Sequence, residues 1–262
     1  MFLRPEALKR KLQQPLQKAT PSLPNAVKRK LQQPLQNATP SLPNVVKRKL
    51  QEEMLPHDVF TFYSRSANAP PGKGVHERGD PAQYRDLARI HDWRKQLSNF
   101  DTGTKPFVWT GEDVLRDPFP EGTAWRSIEH VFQGTKFKVT APFVDPSEPR
   151  GNKKRRAYTP QDYVDAAMRF TVNSGDPIGA GDGVEAQRNR KLLWLEAEDF
   201  PRWDQVSSAV MASAAKAKYA QDEDRMRMLT ATAPAQLLHM VTQRGKASSF
   251  VRFKHLEDIR DS

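Results

Sequence analysis

Apolar residues recur at helical spacing in several stretches of this chain and crowd into short runs in two others. Leu87, Ile90, Trp93 and Leu97 predict a helix over 81–96. Ile128, Val131 and Phe132 predict one within 125–137, and Tyr163, Ala167 and Phe170 one over 160–170. The clearest stripe, Val206, Val210, Met211, Ala214 and Ala217, predicts a helix over 204–220. Shorter helices are expected at 224–229 and 234–241, and a last one at 250–259 behind Ser248 or Ser249 as cap. Val59–Tyr63 and Phe107–Trp109 have strand composition. Residues 69–74, 117–122 and 142–159 read as loops, the last as an exposed excursion carrying Lys153-Lys-Arg-Arg156. Gly175–Gly183, with four glycines and a proline, is expected to hold no regular structure. The pattern predicts an α+β, helix-dominated domain with a few short strands, spanning 54–262.

The first 53 residues break this pattern. Lys9–Val27 recurs almost unchanged at Lys28–Val46, and a third copy starts at Lys47, a period of 19 residues. Prolines at 15, 21 and 24 return at 34, 40 and 43 and forbid a continuous helix. The repeat has no aromatic residue, so 1–53 is read as a disordered basic tail. Of the chain's 42 Lys/Arg and 31 Asp/Glu, 11 and 3 lie here, a tail charge of +8 out of a total of +11. Bulk charge therefore gives the folded part no claim on nucleic acid. The three Lys-Arg-Lys clusters are read as a solvated linker, with contact to nuclear-import machinery or to nucleic acid as the alternatives.

Composition also excludes chemistry. There is no cysteine among the 262 residues, which removes disulfides, thiolate catalysis and cysteine-bound metals. It is compatible with a reducing, intracellular location. No apolar run approaches membrane-span length, so no membrane partner is expected. The six histidines show no zinc-like spacing, and no metal or cofactor is expected. Pro70-Pro-Gly-Lys-Gly74 lacks the ending of a nucleotide-binding P-loop. Asp176 and Asp182 lack the ligand order of a calcium loop.

What remains is Trp125-Arg-Ser-Ile-Glu-His-Val-Phe-Gln-Gly-Thr-Lys-Phe137. Ser127 suits an N-cap. Glu129, Gln133 and Lys136 then share a face at spacings of four and three. Glu129 falls in the first turn, where the helix dipole favours its ionised form. Such a carboxylate beside a sugar can stabilise charge at the anomeric carbon. The same residues also fit an ordinary helix with a wet face, and His130 an ordinary polar pocket.

Several segments in order extend this reading: Phe62-Tyr-Ser64, Ser98-Asn-Phe100, Trp125-x-Ser-x-Glu-His-x-Phe-Gln133 with Lys136-Phe137, Trp203 through Val210-Met211 to Lys218-Tyr219, and Leu229-Thr-Ala-Thr232. The set resembles the NADAR family, whose members act on NAD- and ADP-ribose-type N-glycosides, and it spans about residues 59–262. The resemblance implies a compact, mainly helical N-glycosidase domain. It makes Glu129 catalytic and places Trp125, His130, Gln133 and Lys136 around it. Tyr63, Asn99, Phe100, Asp182 and Arg190 join these as substrate-binding candidates. The riboflavin-pathway branch carries a Trp-Gly-Asp-Gly run that is missing here, where Thr242–Phe250 stands. The Pro-Pro-Gly-Lys-Gly loop instead resembles the branch that removes ADP-ribose from guanine in DNA or RNA. In that branch a lysine is thought to form a Schiff base with opened ribose, and Lys73 is the candidate. The alternatives are a riboflavin-type N-glycosidase of ribosylaminopyrimidine intermediates and a non-catalytic reader of ADP-ribose or nucleic acid.

Overall fold

A computed structural model describes residues 58–151, 157–241 and 249–262. The repeat tail, the basic Lys153–Arg156 cluster and the 242–248 segment therefore lie outside the described residues. The elements in chain order are β1 (Val59–Phe62), α1 (Arg85–Ala88), α2 (Trp93–Gln96), β2 (Phe107–Val108), β3 (Ala124–Trp125) and α3 (Ile128–Thr140). They continue with α4 (Pro160–Met168), α5 (Pro177–Ala180), α6 (Gly183–Arg188), α7 (Asp199–Gln221), α8 (Glu223–Thr230), β4 (Gln236–Val241), β5 (Ser249–Arg252) and α9 (Lys254–Arg260). The fold is α+β and helix-rich, as the pattern predicts.

The principal sheet has the order β1-β4-β5. β1 runs parallel to β4, from Val59 opposite Gln236 to Phe62 opposite His239. β5 is antiparallel on the other edge of β4. All four residues of β1 are buried, as a strand covered on both faces requires. Phe60 meets Tyr84 and Trp93 edge-on at 4.7 and 5.1 Å, and Phe62 meets Phe253 at 5.3 Å. A second, two-stranded sheet pairs Phe107 with Trp125.

Four expectations are corrected. The helix expected over 81–96 is two short helices. Asp92 between them is left-handed, with φ 54°, and donates its N–H to Asn68 Oδ1 at 3.1 Å rather than back along a helix. The helix expected at 234–241 is the central strand β4. Its run Gln-Leu-Leu-His-Met-Val suits either period, and pairing on both edges decides. The helix expected at 250–259 is β5 followed by α9, so Ser249 lies in a strand and caps nothing. The stretch 175–183 holds one helical turn and the start of α6. Asp176 accepts from the Ile178 N–H at 2.8 Å and Asp182 from the Glu185 N–H at 2.9 Å, and these two caps organise it.

α3 lies at the centre of the helical part, packed chiefly on α7 and α4 and also on α6. Ser127 caps it as expected, accepting from the His130 N–H. Trp125 belongs to β3, so the helix begins after it. Gly134 is the point of closest approach. A Cβ there would lie 3.1 Å from the Ala167 carbonyl oxygen, Phe170 Cβ and the Trp125 ring. Phe132 meets Trp203 of α7 edge-on at 4.8 Å. Among the described residues no helix is long and apolar enough to cross a membrane.

Candidate functional site

The polar residues of α3 do not form a wet face. Glu129, Gln133 and Lys136 are all buried. Burial obliges polar groups to find partners, and these three find one another. Gln133 Nε2 donates to Glu129 Oε1 at 2.7 Å, and Lys136 Nζ donates to Gln133 Oε1 at 2.8 Å. One amide thus links a carboxylate to an ammonium along two turns of helix. Lys136 Nζ also donates to the Arg190 carbonyl at 2.8 Å, which ties the segment after α6 to α3. The Glu129 N–H donates to the Asn99 carbonyl at 2.9 Å and brings the Ser98-Asn-Phe100 turn onto the first turn of α3. Gly183 at the start of α6 closes on that turn. A Cβ there would come within 2.5 Å of Phe100 Cα.

The electrostatics differ from the sequence expectation in sign. Burial raises the Glu129 pKa, against the hydrogen bond from Gln133 and the charges of Lys136 and Arg190, which lower it. Desolvation therefore outweighs these three partners, and the Glu129 pKa moves upwards. Burial likewise pushes Lys136 down to about 8, against the Glu129 carboxylate, which raises it. Acid and amine are drawn towards each other in pKa, a condition for exchanging protons at little cost.

His130 turns away from this chain of contacts. It is fully buried, with Nδ1 2.7 Å from Ser127 Oγ and Nε2 3.0 Å from the Ile178 carbonyl oxygen. A carbonyl only accepts, so Nε2 carries the proton and Nδ1 accepts from the Ser127 hydroxyl. Both ring nitrogens are used inside the protein. His130 joins α3 to α5 rather than facing a ligand. Burial pushes its pKa down to about 4. The unfolded imidazole takes up a proton below about pH 6.5, so the contribution of neutral His130 to stability is complete above that pH and falls as the pH drops towards 4. The difference corresponds to about 3 kcal/mol. Urea unfolding at pH 7.0 and pH 4.5 is expected to show a larger loss for the wild type than for His130→Gln. Equal losses would remove His130 from the acid response.

Trp125 is also part of the core. It is fully buried, and its indole N–H donates to the Trp109 carbonyl at 2.8 Å. Phe100 and the exposed Asp182 border the site, and the Asp182 charge acts on His130. Tyr63 directly follows β1, and Lys73 lies in the loop after it. Tyr63 is half-buried at the end of β1, its N–H donating to Ser66 Oγ at 2.9 Å. Lys73 is exposed in a turn closed by its own N–H on the Pro70 carbonyl at 3.1 Å. That turn is held by Glu77, which accepts from the Gly74 N–H at 3.0 Å and the Thr61 N–H at 3.1 Å and pairs with buried Arg94. The hydrogen bonds of Tyr63 and Lys73 stay local and do not reach the α3 cluster.

Arg126 is a residue the sequence did not single out. Its Nε is buried without a partner, and among the described residues no ion pair reaches its guanidinium. Its charge acts on His130. A hollow of about 630 Å³ lies elsewhere, bordered by Asp86, Ile90, Arg225 and Ala231, and another of about 380 Å³ lies against Thr61, His76 and Phe250. Neither includes Glu129. The site is placed by its linked acid and amine, since size alone carries no chemistry. No group of three or more His, Asp or Glu side chains suited to a metal occurs among the described residues.

No protein-family model matches the sequence, and no curated protein matches it. Among solved structures, the NMR structure of the E. coli protein YbiA is similar, at 18% identity over 78% of this chain and 84% of that one, with a TM-score of 0.35. A score of that size does not establish a common fold.

Proposed function

We propose that the chain is an N-glycosidase that removes ADP-ribose from guanine in nucleic acid. The observation that carries the reading is the buried chain from Glu129 through Gln133 to Lys136. It stands in the segment whose order along the sequence resembles the NADAR family. In the hydrolysis, the C1–N bond to guanine breaks and the oxygen of water joins C1. One water proton ends on the guanine nitrogen. Glu129 as the neutral acid gives its proton to the leaving nitrogen and is reprotonated by the attacking water. Lys136, through Gln133, stabilises the carboxylate that exists between those two events.

The amine route has two candidates. A lysine must be neutral to attack C1, and burial is one way to make it so. Lys73 is exposed, whereas Lys136 is buried with its pKa at about 8. The two roles of Lys136 have opposite signs in pH. As the attacking amine it gives a rate that rises through about pH 8, and as a stabilising cation a rate that falls there.

Incubating the full chain with an ADP-ribosylated guanine oligonucleotide is expected to release ADP-ribose and restore guanine. Borohydride added during turnover, followed by peptide mass spectrometry, assigns any trapped adduct to Lys73 or Lys136. Faster turnover of ribosylaminopyrimidines overturns the substrate. Stoichiometric binding without product overturns catalysis and leaves a reader.

A further inference from the structure

The turn that meets the first residues of α3 is itself held by buried charge. Asp101 closes the turn, its N–H donating to the Ser98 carbonyl at 3.0 Å, and the Asn99 carbonyl inside it accepts the Glu129 N–H at 2.9 Å. Lys218, near the end of α7, is 2% exposed. Its Nζ donates to the Asp101 backbone carbonyl at 2.6 Å and to Asp101 Oδ2 at 2.8 Å. Arg225 of α8 grips the same carboxylate, with Nε at 2.9 Å and Nη2 at 3.2 Å. Asp222, the cap of α8, accepts the Arg225 N–H at 3.1 Å and, on its other oxygen, the Thr104 N–H and hydroxyl, both at 3.3 Å. Gly103 has φ 66°, and a Cβ there would lie 3.0 Å from Asp222 Oδ2, so the chain reaches this cluster through a glycine.

Buried ion clusters are weak stabilisers, because desolvation offsets much of the attraction between their charges. Burial works against the Asp101 carboxylate, yet Lys218 and Arg225 hold its pKa below the ordinary value. What the cluster supplies beyond charge balance is position. Apolar side chains could fill the same volume, but none could fix a backbone carbonyl. The Glu129 N–H is one of the donors at a helix start that lack a partner within the helix. Ser127 takes the His130 N–H, and the 98–101 turn takes that of Glu129. The backbone of Glu129 is thus tied to a segment that α7 and α8 tie in turn. We propose that Lys218 and Arg225 are positioning residues that act through Asp101 and the Asn99 carbonyl to set the place of Glu129. The proposal rests on the N-glycosidase reading for what Glu129 does there. Misplacing a reacting group by about 1 Å can cost about 10²-fold in rate, so losing the grip falls on kcat rather than on substrate binding.

In the full chain labelled for NMR, the scalar coupling across the hydrogen bond from the Glu129 N–H to the Asn99 carbonyl reads this position without any substrate. The coupling is expected to be lost or more than halved in Lys218→Met and in Arg225→Met, and to return in Arg225→Lys. The bond from the Val59 N–H to the Arg78 carbonyl, at 2.9 Å, has no link to the cluster and should keep its coupling in every variant. Arg225→Met leaves the Lys218 bonds in place and decides the matter if Lys218→Met does not fold. On ADP-ribosylated guanine oligonucleotide, Arg225→Met is expected to lower kcat about 10-fold or more with KM unchanged. A merely structural role would lower the melting temperature and leave the Glu129–Asn99 coupling of the folded chain at its wild-type value. That result, or a wild type without the coupling, overturns the proposal. If the coupling falls as expected but the wild type releases nothing from modified oligonucleotide, the positioning stands and the proposed activity falls.

Discussion

Glu129→Gln is expected to lower kcat on ADP-ribosylated guanine oligonucleotide by about 10²–10⁴-fold, the usual share of a positioned general acid–base group. The substitution is nearly isosteric. An amide oxygen at position 129 still accepts from Gln133 Nε2, which spans 2.7 Å to Glu129 Oε1. The fold should therefore hold, and a melting curve close to the wild type separates lost chemistry from lost structure. KM should change little, because the loss falls on the step in which a proton moves. Removing the carboxylate also removes the charge that raises the Lys136 pKa, so any rate dependence near pH 8 should shift to lower pH. Single-turnover release of ADP-ribose over pH 6–9 reads both effects. Wild-type rates in the variant exclude Glu129 as the proton carrier.

The second large effect is structural. Arg94→Ala is expected to destabilise the fold by about 3–5 kcal/mol, the range for stripping one partner from a buried ion pair. The side chains of Arg94 and Glu77 are 3% and 0% exposed, and Arg94 Nη2 lies 2.5 Å from Glu77 Oε2. Arg94 also donates to the Ala69 carbonyl and, at 2.9 Å, to that of Pro70. Its loss leaves a buried carboxylate without its cation, strips the Ala69 carbonyl of its donor and leaves the Pro70 carbonyl with the Lys73 N–H alone. For a folded part of this size the melting temperature should fall by roughly 6–20 °C. Limited trypsin digestion should reach Lys73 and Arg78 sooner than in the wild type. Unchanged melting and unchanged cleavage would remove Arg94 as the anchor of that turn. Glu77→Leu with Arg94→Met should recover only part of the loss, since the Thr61 and Gly74 N–H groups also rely on the Glu77 carboxylate.

These two sites were legible in the sequence to different degrees. The Ser127 cap, the phase of α3 and the link from Glu129 through Gln133 to Lys136 follow from spacing within 13 residues, where helix geometry fixes which side chains meet. The apolar stripe of α7 also predicted a helix, although the element is longer at both ends than the stripe. β4 was not legible. Its apolar run fits either period, and its identity comes from β1 and β5, which are remote in sequence. The direction in which the Glu129 pKa moves was not legible for a related reason. The dipole argument is local, whereas desolvation comes from tertiary burial of the helix. Arg94 and Arg126 look alike in sequence, each a basic residue directly after a tryptophan. One is fully paired and the other has no partner among the described residues, a difference that only tertiary structure creates.

The parallel pairing of β1 with β4 has a consequence for synthesis. Val59 meets Gln236, about 177 positions later, and nearly all of the helical part is threaded between them. On a ribosome, β1 is made early and its backbone partner arrives near the end. Until then a strand with four residues destined for burial has one edge without its neighbour, a state that invites pairing with other chains. Helices α3, α4 and α7 are able to condense first, since their contacts are closer along the chain. The sheet is then the last part to close, and the slowest by the general dependence of rate on contact separation. Chains interrupted before Gln236 should therefore be helical, incomplete and prone to aggregate rather than folded with a missing edge.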